Sequence, residues 1–234
     1  MWGREVDGIV LTFHLAGINN QNFLMRDDQT GSYWQQVSGI AIAGPLKGKA
    51  LRLIPADEVT FGLYKTEQPV GEILKGVEED EKNYSPIDWE KQFEKMPVVT
   101  PRPGEGFESK DVMLALTAFG QDKAYPLATV LAERLIKDRV ANENIILAVG
   151  PDNDTVRAFR TPPTDFYRTT DPGALLVDAA TGSKWNFQGC ATEGTEKGHC
   201  LEPLPLTRNY WFDWRSYHPD APVYRTPTSQ RSTR

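Results

Sequence analysis

The sequence is short of cysteine, of positive charge and of long apolar runs, and each shortage removes a class of protein. Two cysteines in 234 residues, Cys190 and Cys200, are too few for a zinc ribbon or a disulfide-dense scaffold. With 26 Lys and Arg against 32 Asp and Glu, a formal net charge of -6, the chain lacks the clustered basic surface that nucleic-acid binding needs. No apolar run approaches the roughly 20 residues of a membrane-spanning helix. The longest, such as Ile145 to Val149, are strand-sized. Met1 to Asp7 is polar and charged and offers no apolar stretch of a secretory signal, which taken alone predicts a soluble, cytoplasmic product.

What is present is a globular composition, 39% hydrophobic and 25% charged, in a chain long enough for one large domain or two small ones. The first third reads as five short strands: Ile9 to Leu15, Asn22 to Arg26, Ser32 to Val37, Gly39 to Gly44 and Ala50 to Ile54. Turn residues separate them, including Asn19-Asn20, Asp27 to Gly31 and Pro45 to Gly48. Val59 to Glu67 reads as a helix. Residues 75–107, with the acidic run Glu78 to Glu81 and a cluster of Pro and Gly, read as a linker. Asp111 to Phe119, Ile145 to Val149 and Thr155 to Arg160 read as strands. The apolar spacing over Leu127 to Val140 predicts a helix.

The sequence also repeats itself. Asp27, Thr30, Gly31, Ser32 and Trp34 recur 151 positions later as Asp178, Thr181, Gly182, Ser183 and Trp185. At a spacing of 150, Gly39, Ala41, Gly44, Lys47, Gly48, Leu51, Pro55 and Pro69 meet Gly189, Ala191, Gly194, Lys197, Gly198, Leu201, Pro205 and Pro219. Glycine at matching places implies matching backbone conformation. The expected fold is therefore α+β and β-dominant, with two repeated curled antiparallel sheets, barrel- or sandwich-like, and short helices. The expected division is a first repeat over 1–74, the linker, a second repeat over 108–225 and a flexible tail over 226–234.

These residues resemble the bacterial domain-of-unknown-function family 3179, whose pattern is an Asp-x-x-Thr-Gly-Ser-x-Trp turn, a Gly-x-Ala-x-x-Gly stretch and an aromatic helix ending in His-Pro-Asp. Asp27 to Leu51 and Asp178 to Asp220 both fit it, and Lys123-Ala-Tyr-Pro-Leu127 looks like a further element of the family. The resemblance implies an exported parent protein. It also implies a Cys-Pro-Leu-Cys motif before an Arg-x-Val-Asp-Gly turn, hence thiol redox or metal binding. Arg4 to Gly8 fits that turn, which would put the first motif before Met1 and make the first repeat incomplete at its N-terminus. Gly150-Pro-Asp-Asn153 stands at the second place with no cysteine, so a thiol-redox role is disfavoured.

Several residue sets carry candidate chemistry. Asp27 and Asp178 head equivalent turns, where an Asp ordinarily bonds its own backbone. The functional alternative is a small-molecule pocket built from Asp27, Asp28, Thr30, Ser32, Trp34 and Gln35, with Asp178, Ser183 and Trp185 as the second, poorer set. A hydrolase of small esters or lactones would draw on Asp27, Asp28, His14 and His218, assisted by a divalent cation such as calcium or zinc. Asp152 and Asp154 are the candidate ligands for that cation. Cys190 and Cys200 stand on strands joined by a turn, where a disulfide is geometrically possible; a Cys190, His199, Cys200 metal or nucleophile site is the weaker option, since neighbouring strand residues face opposite ways. Trp211 and Trp214 share a helix side and are expected in the core. The first functional expectation is binding of a small ligand or metal at the Asp-x-x-Thr-Gly-Ser-x-Trp turn.

Overall fold

The computed structural model describes residues 1–19, 22–171 and 173–226. From residue 227 onward the expected tail lies outside the described residues, as does Asn20 of the expected Asn19-Asn20 turn.

Asp7 (φ 50°) and Gly8 (φ 78°) form a two-residue turn of the left-handed kind that hairpins favour. It joins β1 (Glu5–Val6) to β2 (Ile9–Val10). Next come β3 (Phe13–Asn19), β4 (Asn22–Asp27), β5 (Tyr33–Gln35) and β6 (Ala41–Ala43), an antiparallel four-stranded sheet in sequential order. The helix α1 (Phe61–Glu67) follows, capped by the Thr60 hydroxyl, which accepts from Leu63 N.

Between residues 75 and 107 the chain forms a 3₁₀ helix (Glu78–Asn83) and α2 (Trp89–Lys95). Sequence reading expects no regular element here. Tertiary contacts hold α2: Phe93 stacks on Tyr210 at 5.6 Å, and Lys110 Nζ donates to the carbonyls of Phe93 (2.6 Å) and Glu94 (2.8 Å). A cation placed at the carbonyl end of a helix complements its dipole.

The rest of the chain opens with β7 (Val112–Ala118) and β8 (Gln121–Pro126), then α3 (Leu127–Glu133), β9 (Leu135–Val140), β10 (Glu143–Val149) and β11 (Val156–Arg160). The expected single helix over Leu127 to Val140 is corrected to a helix and a strand. Arg134 takes a left-handed conformation (φ 64°), its N–H bonds back to Val130 O, and Leu135 onward pairs with β10. Helical apolar spacing could not register that stop because Leu135 and Ile136 continue it. The chain then forms β12 (Phe166–Arg168), β13 (Leu176–Asp178), β14 (Lys184–Trp185) and β15 (Ala191–Glu193), again a four-stranded antiparallel sheet in sequential order. It ends with β16 (Glu202–Leu204), β17 (Leu206–Tyr210) and α4 (Trp211–Tyr217). The two remaining sheets run β16-β11-β10-β9 and β17-β7-β8. Among the described residues the fold is β-dominant, with five antiparallel sheets and few short helices, and no sheet closes into a barrel.

The local architecture of β3 to α1 recurs in β12 to α4. Tyr33/Trp34 and Lys184/Trp185 carry the same bulge, and the isolated bridge Ile40↔Ala50 matches Cys190↔Cys200. Helices α1 and α4 have the same length, with C-caps Gln68 (φ −129°, ψ 68°) and His218 (φ −128°, ψ 62°) in one conformation. The cores differ in size. Val6, Leu11, Trp34, Ala41 and Leu51 form a small cluster under the first sheet. The second half has two large clusters, and the first of them takes in Leu63 of α1 beside Ile146, Phe159 and Trp185. Thus α1 leaves its own sheet and seats on the other half. In return Asn22, at the start of β4, donates to the buried carboxylate of Asp213 in α4.

Two glycines show how close the hairpins approach. A Cβ on Gly44 (φ +95°) would meet Ser32 Cα at 2.6 Å, and one on Gly194 (φ +91°) would meet Ser183 Cα at 2.7 Å. Gly44→Ala and Gly194→Ala each combine left-handed strain with overpacking. Each is expected to lower the urea unfolding midpoint, at unchanged slope, by the equivalent of about 1–3 kcal/mol or more.

Candidate functional site

The Asp-x-x-Thr-Gly-Ser-x-Trp turns are built inward. Asp27 is fully buried, and its carboxylate accepts from Thr30 N (2.5 Å), Thr30 Oγ1 (2.9 Å), Ser32 N (3.1 Å) and Trp34 Nε1 (2.8 Å). Ser32, also fully buried, accepts from Leu46 N at 3.0 Å and so ties the turn to the next hairpin. Asp178 repeats the set through Thr181 N (2.7 Å), Thr181 Oγ1 (2.7 Å) and Trp185 Nε1 (3.0 Å), and Ser183 accepts from Glu196 N at 3.1 Å. Trp34 and Trp185 are buried in the cores, with their ring edges against Phe13 and Phe166. These are turn-holding knots with their polar groups satisfied internally.

The other expected site residues do not gather in one place. His14 Nδ1 lies 2.8 Å from Asp28 Oδ1, both about half exposed, on the outer side of the Asp27 knot. Gln35 is held by its own hairpin, accepting from Ser38 Oγ at 2.7 Å. His218 lies apart from both His14 and Gln35: its Nδ1 is 3.1 Å from Asp122 Oδ2, and its ring stacks on Trp214 at 5.4 Å. Asp152 accepts from Thr155 N (3.1 Å), Thr155 Oγ1 (2.5 Å) and Thr60 Oγ1 (2.7 Å), so its carboxylate joins α1's cap to the second half. Asp154 faces Arg208 at 3.5 Å. Among the described residues no three His, Cys, Asp or Glu side chains converge as a metal site. Cys190 and Cys200 are joined by a disulfide across the hairpin, with Cα atoms 4.0 Å apart.

A concave feature lies where residues of the two halves meet. A cleft of about 420 Å³ is lined by the apolar Leu114, Val156, Leu204 and Leu206 and by the polar Asp57, Glu58, Glu67, Gln68, Gln188 and Arg208. Its wall is Arg157, whose side chain is only 9% exposed. Arg157 makes a bidentate pair with Glu67 (2.7 and 2.7 Å), a further bond to Asp57 (2.7 Å) and a stack over Phe187 at 4.5 Å. Burial alone would lower its pKa, but Glu67 and Asp57 outweigh burial and raise it. Arg208 is held far more loosely. Its partners Glu58 (3.2 Å) and Asp154 (3.5 Å) are 65% and 50% exposed. A second hollow, about 510 Å³, shares Glu67 and Gln188 with this cleft.

Sequence reasoning missed Arg157, Glu67, Gln188 and Arg208. One signal was available: Val156 to Arg160 is a strand with buried neighbours on both faces, where a charged residue must find an anion.

The carboxylates of the knots set the acid response. Burial pushes Asp27, Asp152 and Asp178 up, but the bonds from Trp34, Thr155 and Trp185, with those of the threonines, outweigh it and hold all three below the ordinary carboxylate value. A depressed folded pKa gives stability that is complete above the unfolded value, about 3.9, and is lost as pH falls through the folded one. Asp213 runs the other way: burial raises it despite Asn22 and His218, so its contribution is present in acid and lost as pH rises through its folded pKa. The unfolding free energy is expected to drop below about pH 4, and Asp27→Asn and Asp178→Asn should each flatten that drop. At neutral pH each should cost about 1–3 kcal/mol, measured by urea titration.

A family model described as protein of unknown function (DUF3179) matches residues 1–221 in one span across both halves. No curated protein and no solved structure matches the chain significantly. With nearly its whole length under that one family model, the chain belongs to the DUF3179 family.

Proposed function

We propose that the protein is a binding module for a small amphipathic carboxylate, held in the cleft between the halves. The observation that carries this is Arg208, a guanidinium lining an apolar-floored cleft whose acidic partners, Glu58 at 3.2 Å and Asp154 at 3.5 Å, are themselves largely exposed. Exposed ion pairs of that geometry are weak. An incoming carboxylate would displace the exposed Glu58 from the guanidinium, which keeps its bond to the Asp154 carbonyl at 3.1 Å. Gln68 and Gln188 supply neutral amides in the lining, and Leu114, Val156, Leu204 and Leu206 receive the apolar body. Arg157 serves as wall rather than ligand arm, because Glu67 and Asp57 already occupy its fork. This places the ligand away from the Asp27 turn, where Asp27, Thr30, Ser32 and Trp34 bond to one another.

Isothermal titration with straight-chain monocarboxylates from butyrate to octanoate tests the reading. A saturable heat is expected for at least one chain length, with affinity reduced about tenfold or more in Arg208→Gln, equivalent to about 1.4 kcal/mol. The urea midpoint of that variant should stay near that of the parent. No saturable heat at millimolar ligand, or binding indifferent to Arg208→Gln, sinks the assignment.

A second reading, hydrolysis of small esters or lactones, draws on the His14–Asp28 pair, an imidazole oriented by a carboxylate and open to solvent. Turnover of ester and lactone panels, with and without EDTA, should fall at least about a hundredfold in His14→Ala. Turnover that survives that substitution rules the pair out.

A further inference from the structure

The second hairpin carries a covalent crosslink that its counterpart in the first half does without. Ile40↔Ala50 and Cys190↔Cys200 are the same antiparallel bridge, and the hydrogen bonds around them coincide. Leu51 N donates to Gly39 O at 2.8 Å, and Leu201 N to Gly189 O at 2.8 Å. Gly48 N donates to Ala41 O at 2.8 Å, and Gly198 N to Ala191 O at 2.9 Å. The glycines Gly44 and Gly194 (φ 95° and 91°), like Gly48 and Gly198 (86° and 91°), take matching conformations. Each hairpin is also pinned by a serine, Ser32 or Ser183, that accepts from its turn. This conformation therefore forms on backbone bonds, glycines and the serine pin, with or without sulfur. Accessibility is the second observation. Cys200 is exposed and Cys190 is half-buried, lining the ligand cleft near Gln188, Pro203 and Leu204. A disulfide enclosed by its fold is shielded from thiolate attack; here one of the two bonded residues lies exposed on the surface.

From these observations we propose that Cys190–Cys200 is a thiol–disulfide exchange site, reduced by a dithiol partner in the folded state. A partner thiolate attacks Cys200 Sγ, on the more exposed of the two residues. The Cys190–Cys200 bond breaks, the electron pair leaves on Cys190 Sγ, which takes up a proton, and a mixed disulfide joins Cys200 to the partner. The partner's second thiol, as thiolate, displaces Cys200, which is protonated in turn. The products are two protein thiols and the oxidised, disulfide form of the partner. The reduced protein keeps its hairpin, as the first half keeps its own, and carries a free thiol on the cleft wall. The inference is independent of whether a carboxylate occupies the cleft.

Reduction by dithiothreitol, followed by alkylation and mass spectrometry, tests it on the full chain in native buffer and in urea. A disulfide reached only by global unfolding would be protected by the folding equilibrium, on the order of a thousandfold or more. The native rate is expected within about a hundredfold of the rate in urea. The reduced protein should retain its near-ultraviolet circular dichroism and re-form the same crosslink with oxidised glutathione. Cys190→Ser, which leaves the exposed Cys200, should take up glutathione from its disulfide faster than Cys200→Ser. A native rate slower than that bound, loss of the near-ultraviolet spectrum on reduction, or faster uptake by Cys200→Ser overturns the proposal.

Discussion

A guanidinium buried in a protein interior must be matched by anions, and Arg157 finds both of its carboxylates in the other half of the chain. Its place on β11 is dictated by the sheet, between Val156 and Ala158, so the partners have to come to it. Glu67 does so from the last turn of α1, and Asp57 from the segment leading into that helix. Seating α1 there buries Leu63 against Phe159 and Trp185 and brings the Thr60 cap onto Asp152. Removing either acid would leave part of a buried charge unmatched, which costs more than the pair contributes. The cleft follows from the same constraint, since its wall is the ion cluster and its floor is the apolar surface beside it.

The two halves share a local design and have diverged in what each helix carries. Leu63 of α1 and Asp213 of α4 occupy equivalent, buried places, one apolar and one an acid kept by Asn22 of the opposite half. Each half thus extends a contact into the other, by packing in one direction and by a hydrogen bond in the other. The sheets differ in the same sense. Cys190 and Cys200 stand where the first hairpin has Ile40 and Ala50, with the bridge and the bonds from Leu201 and Gly198 matching those from Leu51 and Gly48.

Much of the fold was legible because its signals are local. The Asp-Thr-Gly-Ser-Trp turns announce themselves through residues that bond within a few positions of each other, and the glycines at Gly44 and Gly194 mark the left-handed positions that only glycine takes freely. Strand positions such as Val112 to Ala118 and Ile145 to Val149 were visible in their β-branched, apolar content. Where a local signal was ambiguous, the reading failed: the apolar spacing of Leu127 to Val140 continues across a left-handed Arg134. Helix α2 was invisible because its support comes from Tyr210 and Lys110, the first of them more than a hundred residues away.

The sequence by itself determined the β-rich class, the repeated turn and the family, because glycine conformation, Asx bonding and strand patterning are encoded within short windows. Only the tertiary structure decided where a ligand could sit. Asp27, the strongest polar signal in the sequence, turns inward and spends its carboxylate on the turn, whereas Arg157, Glu67, Gln188 and Arg208 lie in no shared motif. They meet because α1 crosses to the opposite half to neutralise a buried charge; the strand around Arg157 marks that an anion is needed, but local spacing does not say which distant residues supply it.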